Sequence, residues 1–280
     1  MSLKNLLLKI YRLTLVKKAF YKVNLHLYKI SLRGIGILNS EGGEITGEDN
    51  LLKNLSETYK IKTVFDVGAN DGGYSKTLRE SFPKATIYAF EPQPESFKRL
   101  SKVSIANNLK IYKLGLGKVE ETSKIWDFAD DAKLKHTQPT STLASIYKDV
   151  IEQYHGQKSM SFDIKITTLD KFTKQNRILS IDFIKIDTEG NEYNVLLGAK
   201  ELISGNKIKV IQFEFNEMNV YSKTFFKDFY DLLPNYEFFR LMPDGIIALG
   251  PYRPLNYEIF AFQNILAVNK NFTKLIRPFC

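Results

Sequence analysis

Asp66 stands two residues before Gly68 in the run Val64-Phe65-Asp66-Val67-Gly68-Ala69-Asn70-Asp71-Gly72-Gly73. An apolar, β-branched lead-in that stops at an acid and then at glycines reads as a buried strand feeding a tight turn. Residues 74–82 follow with helical character. Strand, glycine turn and helix in that order build a nucleotide cradle at the carboxyl edge of a parallel sheet, because glycine lets backbone approach a ligand and adopt dihedrals that other residues avoid. A dinucleotide site asks for G-x-G-x-x-G, with pyrophosphate on the helix N-terminus. Here the glycines fall at 68 and 72 behind an acid. That charge suits a ligand bearing an ammonium group better than one bearing phosphates, so the spacing disfavours NAD and points to S-adenosyl-L-methionine. Gly68 and Gly72 shape the loop. Asp66 acts through water, by fixing that loop, or as a cap on the following turn. Asn70 and Tyr74 contact either the methionine end of the ligand or the loop itself.

The next candidates lie at the ends of later strands. Glu91 follows the apolar run 85–90, 25 residues beyond Asp66. An acid there is placed to accept both ribose hydroxyls of an adenosyl group, or else makes a surface ion pair. Gly115, after the strand expected at 109–114, leaves room for adenine against a backbone edge, or marks a plain turn. Asp187 and Glu189 close the strand 181–186 in Asp187-Thr188-Glu189-Gly190. Two carboxylates on one turn suit binding a polar acceptor, holding a divalent cation, or deprotonating a hydroxyl. Their structural alternative is that Glu189 caps the next helix while Asp187 braces the glycine loop. Lys185 is expected to point away from Asp187. Glu214, at the end of the strand 208–215, is a further inward acid. His136 and His155 sit in the polar stretch 129–162. A base near neutral pKa is what alkylation of an alcohol calls for, and His136, near Ser141 and Thr142, is the better candidate. No metal is assigned.

Around these positions strands and helices alternate, which predicts an α/β, doubly wound, mostly parallel sheet with late antiparallel strands. Helices are expected at 51–59, 94–102, 191–203 and 224–233, and further strands at 236–241, 245–249 and 265–269. Residues 129–162 form the longest stretch without clear periodicity; a loop of that length in a compact domain usually covers a site or is partly disordered. The chain divides into a basic helical extension and connector, 1–47, and a catalytic domain, 48–280. The single cysteine, Cys280, excludes a disulfide framework and a cysteine zinc site, and fits a cytoplasmic protein.

The net charge of +9 is unevenly placed: residues 1–40 hold eight of the 40 Lys and Arg and none of the 31 acids, so the remainder has 32 cations against 31 acids. With the domain near neutral, the basic balance of the whole chain is not evidence for a nucleic-acid groove. In residues 1–33, Leu6, Leu13, Phe20 and Leu27 recur every seven residues amid cations. Lys9 and Arg12 interrupt any signal-peptide core or membrane span. The stripe reads as a helix or helix pair packed on the core, as an interfacial helix on an anionic membrane at its inner face, or as a coiled-coil partner.

Phe65-Asp66-Val67-Gly68-Ala69-Asn70-Asp71-Gly72, Ala89-Phe90-Glu91-Pro92, Ser141-Thr142-Leu143, Thr168-Leu169-Asp170 and Lys185-Ile186-Asp187-Thr188-Glu189-Gly190-Asn191-Glu192 together resemble the FkbM-type methyltransferases. The likeness spans residues 61–215, and more weakly 265–269. It implies a Rossmann-like class I fold dependent on S-adenosyl-L-methionine, and usually O-methylation of sugars or natural-product hydroxyls. By motif, Asp66, Gly68 and Glu91 fall on the cofactor side and Asp187 and Glu189 on the active-site side. The expected partner is a small-molecule or glycan acceptor, not nucleic acid: the turn after residue 186 lacks the Asn/Asp-Pro-Pro-aromatic sequence that clasps a base amine, and its carboxylates would repel phosphates. The rival reading is a non-catalytic, membrane-associated scaffold of the same fold that binds the cofactor or a glycan. The oligomeric state has no signature in the sequence.

Overall fold

The computed structural model describes residues 2–103, 108–129 and 139–276. Strands β1 (Thr63–Val67), β2 (Thr86–Phe90), β3 (Leu109–Tyr112), β4 (Gly115–Leu116), β5 (Glu121–Phe128), β6 (Ser159–Thr167), β7 (Ile181–Ile186), β8 (Ile208–Phe215), β9 (Tyr236–Met242), β10 (Gly245–Ala248) and β11 (Gln263–Asn269) form two sheets among these residues. The larger has the order β10-β9-β11-β8-β7-β1-β2-β3, and the smaller β4-β6-β5. Strands β8, β7, β1, β2 and β3 run parallel, whereas β11 is antiparallel to both β8 and β9. This is the expected α/β architecture, a mostly parallel sheet with late antiparallel strands.

Period-two alternation sorts side chains to two faces. From β1, Phe65 and Val67 join one apolar layer with Phe90, Ile184 and Ile186, and Val64 joins the other with Ile87, Ala89 and Phe183. All six residues of β7 are buried, as a central parallel strand requires. Val67 pairs with both Phe90 and Ile186. Three strands therefore end level, and the turns after residues 67, 90 and 186 share one edge. That edge carries the candidate chemistry.

Several boundaries differ from expectation for identifiable reasons. The stretch 129–162 is shorter as an insertion, because residues 159–162 pair with β5. It also holds a 3₁₀ turn, Thr140–Leu143, and a π-helical turn, Val150–Tyr154. The helix expected from 191 to 203 is two, Glu192–Leu197 and Lys200–Ser204. They part at Gly198, where an added Cβ would meet the Gly117 carbonyl oxygen at 2.1 Å. Asp170 caps the second helix, accepting from Glu201 N at 2.9 Å and Leu202 N at 3.0 Å. Residues 1–33 are likewise not one stripe. Helices α1 (Leu3–Thr14) and α2 (Tyr21–Gly34) are separated by a short turn, and only Leu32 among their residues is buried. In the connector, Gly42–Thr46 forms a short helix α3; the helix expected at 51–59 is α4, Glu48–Thr58, entered through Gly47 with φ of +83°.

Gly198→Ala tests the close approach of the two turns. Overpacking against backbone is expected to cost about 1–3 kcal/mol, read as a lower urea midpoint at an unchanged slope. An unchanged midpoint would show that the helix break has room for a methyl group.

Candidate active site

The cleft over the level strand ends encloses about 720 Å³, its mouth included. Val67, Gly68, Asn70, Phe90, Glu91, Asp187, Thr188 and Glu189 line it from the ends of β1, β2 and β7 and the turns that follow. Gly115, Leu116, Ile125, Ser141, Thr142, Ala144, Ile146, Ile164 and Ile166, from the small sheet and the insertion, line it as well. The strand-end turns thus make an acidic wall, and the lining from the small sheet and the insertion is mostly apolar. Six of the positions singled out in the sequence meet here: Gly68, Asn70, Glu91, Gly115, Asp187 and Glu189. His136 lies outside the described residues. His155 packs its ring against Phe128 and Tyr154 at 5.3 and 4.9 Å.

Glu91 holds the glycine loop. Its Oε2 accepts from Asn70 N at 2.8 Å, and its Oε1 accepts from Gln93 N at 2.7 Å. The loop turns over the end of β2, with Gly68 N and Ala69 N both donating to the Phe90 carbonyl at 2.9 Å. Gly68 has φ of +85°, and a Cβ there would lie 1.7 Å from the Asp187 carbonyl oxygen. Only glycine fits. Asn70 takes the left-handed conformation at φ of +49°, one of the few non-glycine residue types that do so readily. Its Oδ1 accepts from Ser96 Oγ at 2.9 Å. Arg99 in turn donates to Ser96 Oγ at 3.0 Å and to Ser141 Oγ at 2.6 Å, which seats the insertion against the loop.

Asp66, Gly72 and Tyr74 sit behind this wall and are not among its lining residues. Asp66 is buried on the β1 face opposite Phe65 and accepts from Ser75 Oγ at 2.5 Å, so it anchors the start of the helix α5 (Gly73–Ser81). A Cβ on Gly72 would meet Leu100 and Val103, each at 2.8 Å, so this glycine serves helix packing. Tyr74 donates to Gln212 Oε1 at 3.0 Å and lies under the Lys185 ammonium, 4.2 Å from its ring centroid.

Lys185 corrects the expectation that it faces away from Asp187. Residues two apart on a strand share a face, and Lys185 Nζ donates to Asp187 Oδ2 at 3.0 Å. Glu48, from the start of α4, stands 3.7 Å from the same ammonium and accepts from Gln212 at 2.7 Å. Burial alone would push Lys185 down, but Asp187 and Glu48 hold it well above its ordinary value. The turn after β7 is braced by Glu192, whose Oε1 accepts from Thr188 N at 2.8 Å and Gly190 N at 3.2 Å. Glu189 is thereby left on the cleft wall, at φ of +52°, with its carbonyl held by Ser145 Oγ at 2.7 Å. Burial, with Asp187 and Glu192 adding, keeps the Glu189 carboxyl well above the carboxylate range. Burial does the same at Glu214, reinforced by Asp187.

Residues 66–239 match the methyltransferase FkbM domain. The chain belongs to the FkbM methyltransferase family. It is a methyltransferase, and S-adenosylmethionine is its methyl donor. Among curated relatives, a 2-O-methyltransferase, NoeI, of Sinorhizobium fredii is 24% identical over 65% of this chain and 75% of its own length. A hexuronic acid methyltransferase, AglP, of Haloferax volcanii is 22% identical over 60% of this chain and 63% of its own. A solved FkbM methyltransferase from Methylobacillus flagellatus overlays 76% of this chain and 47% of its own at a TM-score of 0.42, with 14% identity.

The cleft fits the donor by its chemistry. Among the described residues its lining holds three acidic side chains and no lysine, arginine or histidine, so it offers no cation to meet the phosphate groups of a nucleotide. Among the described residues there is no group of three or more His, Cys, Asp and Glu side chains placed to hold a metal ion. Residues that the sequence reading passed over are Arg99 and Ser96, which seat the loops, and Glu48 and Gln212, which surround Lys185. The parity of positions 185 and 187 was the available signal for Lys185. Nothing local marks Glu48, which meets Gln212 across 164 residues.

Burial raises Asp66 to about 6, and Glu91 and Glu192 to about 7. An acid whose folded pKa exceeds its unfolded one binds its proton more tightly when folded. Its contribution is therefore full below the unfolded value, 4.5 for Glu91, and is lost as pH rises through about 7. The ligand-free protein should lose thermal stability across that window, and Glu91→Gln should lose less of it. Parallel Tm-against-pH curves for the two proteins would contradict a neutral, buried Glu91.

Proposed function

We propose that this methyltransferase acts on a hydroxyl of a saccharide, or of a glycolipid or related natural product, and forms a methyl ether. The observation that carries the reading is the acidic wall: Asp187 and Glu189 line the same cleft as Gly68 and Glu91. Two relatives whose names specify 2-O- and hexuronic acid methylation support a sugar acceptor.

On this reading Glu91 accepts from the ribose hydroxyls through the lone pairs left free by its two backbone bonds. Asn70 borders the methionine end, and the backbone at Gly115 borders the adenine. Gly68 contributes the close backbone approach; Asp66, Gly72 and Tyr74 hold the loop and helix behind it. When bound, the donor supplies a methyl group already activated by a sulfonium. This chain's part is then to align an acceptor oxygen and receive its proton. Asp187 has Oδ2 engaged by Lys185, and its Oδ1 takes the hydroxyl proton as the oxygen–methyl bond forms. Glu189, held toward its protonated form, donates to a neighbouring hydroxyl and orients the ring. Orientation of this kind supplies roughly 7–11 kcal/mol in favourable cases, and proton removal roughly 10²–10⁴-fold more. The place of work is the cytoplasm, at the inner face of a membrane touched by residues 1–33, with the domain 48–280 carrying the chemistry.

Transfer of labelled methyl from S-adenosylmethionine to a panel of saccharides tests the reading. Asp187→Asn should lower kcat by about 10²–10⁴-fold while leaving donor affinity nearly unchanged. Full turnover by that variant would place the base elsewhere, and His136→Ala would then be the next measurement.

A further inference from the structure

Helices α1 and α2, joined by a short turn into a helical hairpin, are left largely uncovered by the other described residues. Tyr11 donates to Asn24 Oδ1 at 2.7 Å, and Asn24 Nδ2 donates to the Leu15 carbonyl at 2.9 Å, so the end of α1 and the start of α2 are tied where they meet. Yet Leu3, Leu6, Leu7, Ile10, Leu13 and Val16 are all exposed, as are Tyr21, Val23, Leu27, Tyr28 and Ile30. Their exposure runs from 41% to 72%, far above what a helix packed on a core shows. Helix geometry segregates the charges as well. In α2, Lys22, His26, Lys29 and Arg33 recur at helical spacing on one stripe; in α1, Lys9 and Arg12 share a face with Asn5, while Lys4 lies beside Leu3, Leu7, Leu8 and Tyr11. No acid occurs before Glu41. Apolar side chains flanked by unopposed cations match a bilayer interface with anionic headgroups. A second copy of the same hairpin would bring like charges together.

The root of the hairpin lies on the edge that bears the cleft. Leu38 N donates to the Phe262 carbonyl at 2.8 Å, and Arg240 Nη1 donates to the Ile35 carbonyl at 3.3 Å. A Cβ on Gly36 would meet the Leu241 carbonyl at 2.8 Å. Gln263, where β11 begins, is paired with Phe215 at the carboxyl end of β8, so this root sits at the same edge as Asp187. Its contacts fall on β11 and β9, two and three strands along from β7, about 10–15 Å at the usual spacing. No helix among the described residues is long and apolar enough to cross a membrane.

We infer that the hairpin docks peripherally on an anionic lipid surface and keeps the cleft edge beside it, so that the acceptor saccharide is one carried on a lipid. This rests on the saccharide reading above. The docking arm of the test sediments the full chain with vesicles of phosphatidylglycerol and phosphatidylcholine in equal parts, and with phosphatidylcholine alone. Binding is expected only to the anionic vesicles and should weaken with salt. It should fall at least tenfold in K22E/K29E/R33E and in L6S/I10S/L13S, with S-adenosylhomocysteine affinity by calorimetry unchanged in both. Equal binding to both vesicle types, or none, would overturn the docking. So would a dimer in solution that L6S/I10S/L13S dissociates, because the occupant would then be a second copy. The acceptor arm compares methyl transfer to a glucuronosyl diacylglycerol in those vesicles with transfer to methyl glucuronide in solution. The lipid-borne sugar should be favoured by wild type and lose that advantage in K22E/K29E/R33E. Transfer to neither sugar, with docking intact, would overturn the acceptor and leave the docking standing.

Discussion

One carboxylate organises the cleft. Glu91 takes a backbone N–H from the glycine loop on one oxygen and a backbone N–H from its own turn on the other. That pair of bonds fixes the height of the loop over β2, and everything else in the wall is placed relative to it. Asn70 is held in its left-handed conformation beneath a donor, Ser96, that also meets Arg99. Arg99 then seats Ser141, which the insertion contributes to the cleft lining. A neutral buried acid at this position is costly to ionise, so a ligand that offers hydroxyl donors would lower that cost in binding.

The second constraint is charge. Asp66, Asp187, Glu189, Glu214 and Glu48 surround a single buried lysine, Lys185. One cation cannot keep all of them ionised in a low-dielectric edge. The geometry resolves the competition by distance: Asp187 has the 3.0 Å bond and Glu48 the 3.7 Å contact. Glu189 and Glu214 are left to be pushed upward by their neighbours. Separation of like groups into different protonation states is what acid–base work at one site requires. Glu48 also brings the start of α4 into this edge, through its contacts with Lys185 and Gln212.

Much of this was legible in the sequence because its signals are local. The strand, turn and helix around Gly68, the proline that opens the helix α6 (Pro94–Leu100), and the acids at the ends of β2 and β7 follow from patterns a few residues long. Roles that depend on parity or packing were harder. Asp66 and Glu91 are both acids at strand ends, but Asp66 is inside its strand and faces α5, whereas Glu91 is one residue past its strand and reaches the cleft. Gly68 and Gly72 look equivalent in the sequence, yet one is crowded by the Asp187 backbone and the other by Leu100 and Val103. The break at Gly198 needed the Gly117 carbonyl, 81 residues away, to be visible. The exposure of the N-terminal hairpin is of the same kind. A heptad-like stripe announces an apolar face, and only tertiary structure shows that the core does not cover it.

The central claim is that Glu91 joins loop and ligand in one site, and calorimetric titration tests it most directly. S-adenosylmethionine and S-adenosylhomocysteine should both bind the wild-type protein. Glu91→Ala should weaken both by about 1–3 kcal/mol, the range for losing a charged or buried hydrogen-bond acceptor, with circular dichroism confirming that the variant is folded. Equal affinity in the two proteins would contradict the account and move the ribose contact away from this carboxylate.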